Sequence, residues 1–269
     1  MTSAPVDIVT PSRWNQPLPR KIALLLLIGL AWEIYGRVLD NDLLFPTLLQ
    51  TLRSLYEAVI SGVLPQRAGN SLAVLLQGFL LGTAGAMLLA ALAATTRIGA
   101  DLLDMLTAVF NPLPAIALLP LALMWFGLGN GSLVFVLVHS VMWPMALNTH
   151  SGFRSVSPTL RMVGRNVGLR GLRYTAAILI PAAFPSILAG LKIGWAFAWR
   201  TLIAAELVFG VSSGSGGLGW FIYERKNQLD TGAVFAGLLS VILIGLVVEG
   251  VLFRWVENRT IRRWGMQSQ

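Results

Sequence analysis

Apolar residues in this chain gather in long runs, with neither the strict alternation of a half-buried strand nor the three-and-four spacing of a soluble amphipathic helix. The runs lie at about 22–39, 72–94, 104–126, 131–149, 177–208 and 232–253, and roughly 20 helical residues suffice to cross the hydrocarbon of a bilayer. Only helices and closed barrels satisfy their backbone in lipid, and runs this long without period-two alternation predict helices. The expected fold class is therefore all-α, a polytopic membrane protein of about six transmembrane helices. The first run, Ile22 to Leu39, follows a polar, Pro-rich tail and is shaped like a signal peptide. No small-x-small cleavage site follows it and Trp32-Glu33 interrupts it, so it is expected to stay as the first span. Residues 1–21 and 255–269 read as tails, 22–254 as the transmembrane domain, and Pro46 to about Gly62 as a surface helix.

Composition agrees with the pattern. Of 269 residues, 55% are hydrophobic and 12% charged, with mean hydropathy +0.71, whereas soluble domains carry about 25% charged residues. Cysteine is absent, which excludes disulfides and thiolate chemistry. The net charge of +8 raises nucleic acid and anionic lipid as partners. With a cytoplasmic N-terminus, thirteen Lys and Arg fall inside, five outside, and two (Lys192 and Arg200) within a span. This is the positive-inside bias, with both termini cytoplasmic, and it accounts for the charge by membrane lipid without nucleic acid. Pro112, Pro114, Pro120 and Pro144 sit within predicted spans, where kinks are expected. Small residues recur at four-residue spacing in Gly78/Gly82 and Gly190/Gly194/Ala198, a pattern that lets helix backbones approach closely.

Chemistry is concentrated in two places. The loop at about 150–176 carries Arg154, Arg161, Arg165, Arg170 and Arg173 and no acidic residue. Ser157-Pro158 is a helix-start signal, Gly168 a break, and Leu169 to Ile180 a second helical stretch. On charge alone this ordered loop reads equally as a docking surface or as a positive-inside anchor. In the fifth span Lys192, Trp199 and Glu206 are seven apart, a spacing that drifts only about 20° per step. They form one stripe, with Arg200 roughly 100° away. Such a face lines a translocation path, or its charges pair within the bundle and snorkel to the interface. No lysine is preceded by the Gly of a phosphate-binding G-x-x-x-x-G-K-[ST] loop. Gly214-x-Gly216-x-x-Gly219 matches a dinucleotide fingerprint by letters, but it follows a transmembrane helix, and a flexible turn is the expected reading. His139 and His150 have no companion carboxylate nearby in the chain. No catalytic set and no metal site are expected.

The loop also resembles a known family. Gly168, nine residues, then Ile178-Leu179-Ile180-Pro181 is similar to the cytoplasmic loop of ABC importer permeases, whose pattern is Glu-Ala-Ala, three residues, Gly, nine residues, Ile-x-Leu-Pro. Here Ile180 stands for the Leu, and Met162-Val163-Gly164 occupy the Glu-Ala-Ala positions, so the acidic residue is missing. Phe110-Asn111-Pro112-Leu113-Pro114 with Pro120-Leu121 and Trp125-Phe126-Gly127 looks like the nitrate/sulfonate/taurine branch. So do Pro181 to Ser186, Ala198-Trp199-Arg200 with Ala205-Glu206-Leu207, and Gly217-Leu218-Gly219-Trp220.

The resemblance implies the type I importer permease fold, a coupling helix in the 150–176 loop, and a place in the bacterial inner membrane. It implies ATPase coupling through Met162, Arg165, Gly168, Arg170, Ile178 and Pro181, while the charges and spacing of the fifth span make Lys192, Trp199, Arg200 and Glu206 the candidates along the path. The partners implied are two ABC ATPase subunits that bind the ATP and Mg, a periplasmic or lipid-anchored substrate-binding protein, and a second copy of the chain in a homodimer. The chain itself would be no enzyme and hold no cofactor. The substrate class implied is a small anion such as nitrate, taurine or another sulfonate. The alternatives are an uncharged or aromatic compound, or a secondary transporter, which would show two related halves.

Overall fold

The computed structural model describes residues 17–209 and 216–260, and among them every regular element is a helix. In chain order these are α1 (Pro17–Leu39), α2 (Leu48–Ile60), α3 (Val63–Thr95), α4 (Arg97–Phe110), α5 (Leu119–Phe126), α6 (Asn130–Ser155) and α7 (Pro158–Asn166). There follow α8 (Gly171–Tyr174), α9 (Ile180–Ala182), α10 (Phe184–Phe209), α11 (Leu218–Asn227), α12 (Thr231–Val247) and α13 (Arg254–Arg259). Five helices are long and apolar enough to cross a membrane, and a sixth crossing is made if α4 and the Ala115–Phe126 segment count as one broken span.

That break is the main departure from the hydrophobic pattern. The run expected as one helix at 104–126 is two, bent by 87°. Pro112 and Pro114 have no N–H to give to the helix ladder, and a proline disfavours helical geometry at the residue before it, although Asn111 keeps it. Pro114 is itself extended, with φ −60° and ψ 121°, before a short 3-10 turn at Ala115–Leu118 leads into α5. Pro144 behaves differently: it lies inside α6, where Asn148 Nδ2 donates to its carbonyl at 2.7 Å. A second disturbance precedes α10. The backbone of Thr175–Leu179 widens to a π turn just before Pro181, and the chain leaves helical geometry at Ala183. Helix α3 starts well before its expected apolar run, and at 33 residues it is about 50 Å long, more than the hydrocarbon requires.

Helix α6 is the axis of the bundle, packed along α3 on one side and α10 on the other. In the apolar windows of α6 and α10, 56% and 50% of residues are buried, against 6% in α1. The first helix therefore presents its leucines outward, and the core lies among α3, α6 and α10. The small-residue stripes make this contact. A Cβ on Gly78 would sit 2.4 Å from Leu137 Cβ, and one on Gly82 would sit 2.8 Å from Val141 Cβ and 3.0 Å from the Val138 carbonyl oxygen. On the α10 side, a Cβ on Gly190 would meet Asn148 Cβ and Met145 Sδ at 2.9 Å. Helix α1 is held at one end by Glu33, which pairs with Arg37 at 2.7 Å and accepts from the Leu49 amide at 3.0 Å.

Two alanine substitutions in α3 are expected to have opposite signs. Gly82→Ala forces the α3–α6 contact apart and should cost about 1–3 kcal/mol. Gly69 has open space around its Cβ position, so Gly69→Ala should gain about 0.5–1 kcal/mol from helix propensity. Thermal unfolding of the two variants in the same detergent checks both.

Candidate functional site

The proline joint between α4 and α5 opens a cavity of about 590 Å³. The joint, residues 111–116, forms one wall; His139, Ser140, Trp143, Pro144, Leu147 and Asn148 of α6 form a second. Phe197, Arg200, Thr201 and Ala204 of α10 form the third. Arg200 is the only Lys or Arg in this lining, and no Asp or Glu is present. Its guanidinium lies 6.0 Å from the centre of the Phe197 ring, and among the described residues no carboxylate pairs with it. A cation left uncompensated within a span is costly unless it faces a cavity or water, and this one faces the cavity.

The structure separates Arg200 from the stripe of Lys192, Trp199 and Glu206. Those three turn away from the cavity and are engaged within the chain. Lys192 Nζ meets Glu257 Oε2 at 2.6 Å, tying α10 to α13. A smaller cavity lies beside that pair, lined by Lys192, Ile193, Ala196, Glu249 and Phe253. Trp199 Nε1 donates to the Val241 carbonyl of α12 at 3.3 Å. Glu206 is 5% exposed. Its carboxylate accepts from Ser71 Oγ at 2.8 and 2.9 Å and from the Gly219 amide at 2.8 Å, and Ser71 Oγ in turn accepts from the Leu218 amide at 2.8 Å. Seven-residue spacing placed the three on one face correctly; the side of the bundle that this face meets is set by α12, α13 and α3.

The Glu206 contact also explains the glycines before α11. A Cβ on Gly217 would lie 2.1 Å from Glu206 Oε1 and 2.2 Å from Ser71 Oγ, and one on Gly219 would lie 2.6 Å from Glu206 Cβ. Gly216 accepts from Arg67 Nη1 at 3.0 Å and Asn70 Nδ2 at 3.3 Å. These glycines admit a carboxylate and two neighbouring side chains to the backbone. Gly214 lies outside the described residues. Ser71 and Glu257 were not recognisable as partners from the sequence, being 135 and 65 positions from the residues they hold.

At the opposite end of α10 lies the arginine-rich loop. Ser157 Oγ caps α7 by accepting from the Leu160 amide at 3.3 Å, and Pro158 opens the helix. The helix ends on Gly168 at φ +78°. The Leu169 amide returns to the Gly164 carbonyl at 3.1 Å and the Gly168 amide to Arg165 at 3.0 Å, the paired bonds of a Schellman cap. Gly164 packs where a Cβ would meet Tyr174 Cε2 and Ile178 Cγ1 at 2.9 Å, so the last of the three Met162-Val163-Gly164 positions admits only glycine without a shift. Arg161 reaches back to the carbonyls of Phe153 and Val156 and fastens the loop to the end of α6. Met162, Arg165, Arg170 and Pro181 are exposed, Ile178 half-buried. The exposed Met162, Val163, Val167 and Leu172 add apolar surface to the arginines.

An all-helical bundle with a broken span, a cavity within the membrane-spanning region and an ordered basic loop defines a polytopic membrane transport subunit. Residues 70–262 match the family described as binding-protein-dependent transport system inner membrane component, and the chain belongs to that family. It is 31% identical to a putative ABC transporter permease protein of Methanocaldococcus jannaschii, over 91% of this chain and 92% of the relative. It is 28% identical to the taurine transport system permease protein of Escherichia coli, over 88% of each chain. It is 27% identical to the nitrate import permease protein of Synechococcus elongatus, over 92% of each.

Ser71→Ala removes both the donor to Glu206 and the acceptor for Leu218 and should destabilise the docking of α11 by about 1–3 kcal/mol. Hydrogen exchange at residues 218–227 is expected to speed up while α6 stays protected; equal protection in both would show that the contact bears no load.

Proposed function

We propose that this chain is the membrane subunit of an ATP-driven importer and passes a small anion through the cavity beside Arg200. The observation that carries the substrate class is that uncompensated guanidinium, set in a mid-span cavity with no carboxylate. The names of relatives that import taurine, aliphatic sulfonates and nitrate agree with it. A substrate-binding protein delivers the anion on the outer side. Two ATPase subunits, holding the ATP and Mg, engage the 158–176 loop, and a second copy of the chain completes the path. Helix α7, fastened to α6 through Arg161 and stiffened at Gly168, acts as the lever, with Met162, Arg165, Arg170, Ile178 and Pro181 at or beneath the contact. Lys192, Trp199 and Glu206 then hold α10 in place and do not touch substrate. A second reading, an uncharged aromatic substrate, draws on the rings of Phe197 and Trp143 in the same lining.

The test is uptake into vesicles holding the chain with its ATPase and binding protein. Uptake is expected to require ATP and to persist after the ion gradients are collapsed. Arg200→Gln is expected to lower anion uptake at least tenfold, consistent with loss of one charge-assisted contact of about 1.5–3 kcal/mol. Undiminished anion uptake by that variant, or uptake that follows an ion gradient without ATP, overturns the reading.

The lever has a test of its own. Gly168→Val places a β-branched residue in the left-handed region, at a cost of about 1–3 kcal/mol. Combined with Arg165→Glu and Arg170→Glu, it should abolish co-purification of the ATPase while leaving the chain in the membrane. Full recovery of the ATPase would move the coupling site elsewhere.

A further inference from the structure

Beside the joint, three rings pack together on the cavity wall. Phe110, the last residue of α4, stacks on Trp143 of α6 with centroids 5.1 Å apart and planes 13° apart. His139, one turn earlier on α6, stands edge-on to both, at 6.2 Å from Phe110 and 6.0 Å from Trp143. Trp143 is 6% exposed. Its Nε1 and both ring nitrogens of His139 are sealed from solvent and have no hydrogen-bond partner among the described residues.

Buried polar atoms are almost always paired, and each orphan calls for a reason. An indole N–H only donates, and a neutral imidazole carries one donor and one acceptor. Trp143 and His139 share one face of α6, four residues apart, and Arg200 lines the same cavity from α10. The set is rich in donors, carries positive charge and contains no carboxylate.

We infer that His139, Trp143 and Arg200 form an anion-holding station inside the membrane, built for the oxygens of a sulfonate or nitrate group and uncovered when the proline joint carries Phe110 off Trp143. One oxygen accepts from the indole N–H, another from the imidazole N–H, and the guanidinium balances the charge. The inference rests on the reading that this cavity is the path. It adds that the membrane subunit selects the anion itself, beyond whatever the external binding protein selects.

The experiment uses the chain as purified from membranes with the subunits that accompany it, in lipid nanodiscs and proteoliposomes. Radiolabelled ethanesulfonate and nitrate are the probes, with uncharged ethyl methyl sulfone as the control. Both anions are expected to bind and the sulfone is not. Trp143→Phe, which keeps a ring against Phe110, and His139→Phe are each expected to weaken ethanesulfonate binding by roughly ten- to a hundredfold, the range for hydrogen bonds to a charged group. If Trp143→Phe fails to fold, benzothienylalanine at position 143 replaces the N–H by sulfur at unchanged shape and should give the same loss. Binding of ethanesulfonate indifferent to all these changes, or equal retention of the sulfone, overturns the station.

The native chain has no cysteine, so Thr201→Cys offers a single thiol in the cavity for a bulky methanethiosulfonate reagent. Blocked uptake after labelling, with binding indifferent to Trp143 and His139, removes the station and leaves the path. Unblocked uptake removes the path, and the station with it.

Discussion

Lipid gives helices no hydrophobic reason to associate, since the tails are as apolar as leucine; contact distance and dispersion decide which faces meet. In this chain that constraint falls on α6, which receives Gly78 and Gly82 from α3 on one side and Gly190 and Gly194 from α10 on the other. Each glycine puts backbone against a side chain of α6, with no room for a Cβ at Gly78, Gly82 or Gly190. The three helices hold their spacing for this reason, and the cavity exists because the joint, the wall facing α6 and α10, does not follow the same rule. At Pro112–Pro114 the chain abandons helical geometry, and irregular backbone at membrane depth is tolerated only where protein buries it or a cavity borders it. The close packing of α3, α6 and α10 thus supplies the rigid wall against which a proline joint is free to bend.

The polar groups divide in the same way. Glu206 holds the start of α11 to α3 and α10 at one end, and Lys192 joins α10 to α13 toward the other. Both carry charge that would be expensive alone in the membrane, and both are paired or multiply hydrogen-bonded. Arg200 has no carboxylate partner and the ring nitrogens of His139 no hydrogen bond among the described residues, and both residues line the cavity. The cavity at the joint thus brings hydrogen-bond donors and a positive charge together, where a charged solute would have something to exchange for its hydration.

Much of this was legible in the residues because it is local. Ser157-Pro158, Gly168 and the four-residue glycine stripes each fix their geometry within one or two turns, and the structure uses them as helix start, Schellman cap and close contact. The length of α3 and the break in the third apolar run were less legible. Hydropathy reports whether a segment tolerates lipid, and it is blind to a backbone that turns through 87° while staying apolar. The proline pair carried that information, but prolines also occur in kinked, continuous helices, as Pro144 does in α6. Least legible was the direction of the α10 stripe, since periodicity fixes which residues share a face and tertiary packing decides what the face meets. Gly216 and Gly219 were visible as a turn, yet the reason for Gly219, and for Gly217 beside it, is a carboxylate on another helix.

These pairings bear on how the bundle can move. Helix α10 is clasped by α3 and α11 near its end, by α12 through Trp199, by α13 through Lys192, and by α6 along its glycines. Displacing it alone would break a buried carboxylate network, an ion pair and a close-packed stripe together. Helix α4 packs along α3, with Leu103 buried and Gly99 against the Leu92 carbonyl, and its end reaches α6 through the stack of Phe110 on Trp143. The close-packed block is therefore α3, α6 and α10 with α4 against it, and the irregular backbone at Pro112–Pro114 is the part of the cavity wall outside it. A bend at the prolines would reshape the cavity without unpacking that block, and Arg200 faces the cavity from α10, the helix held on every side.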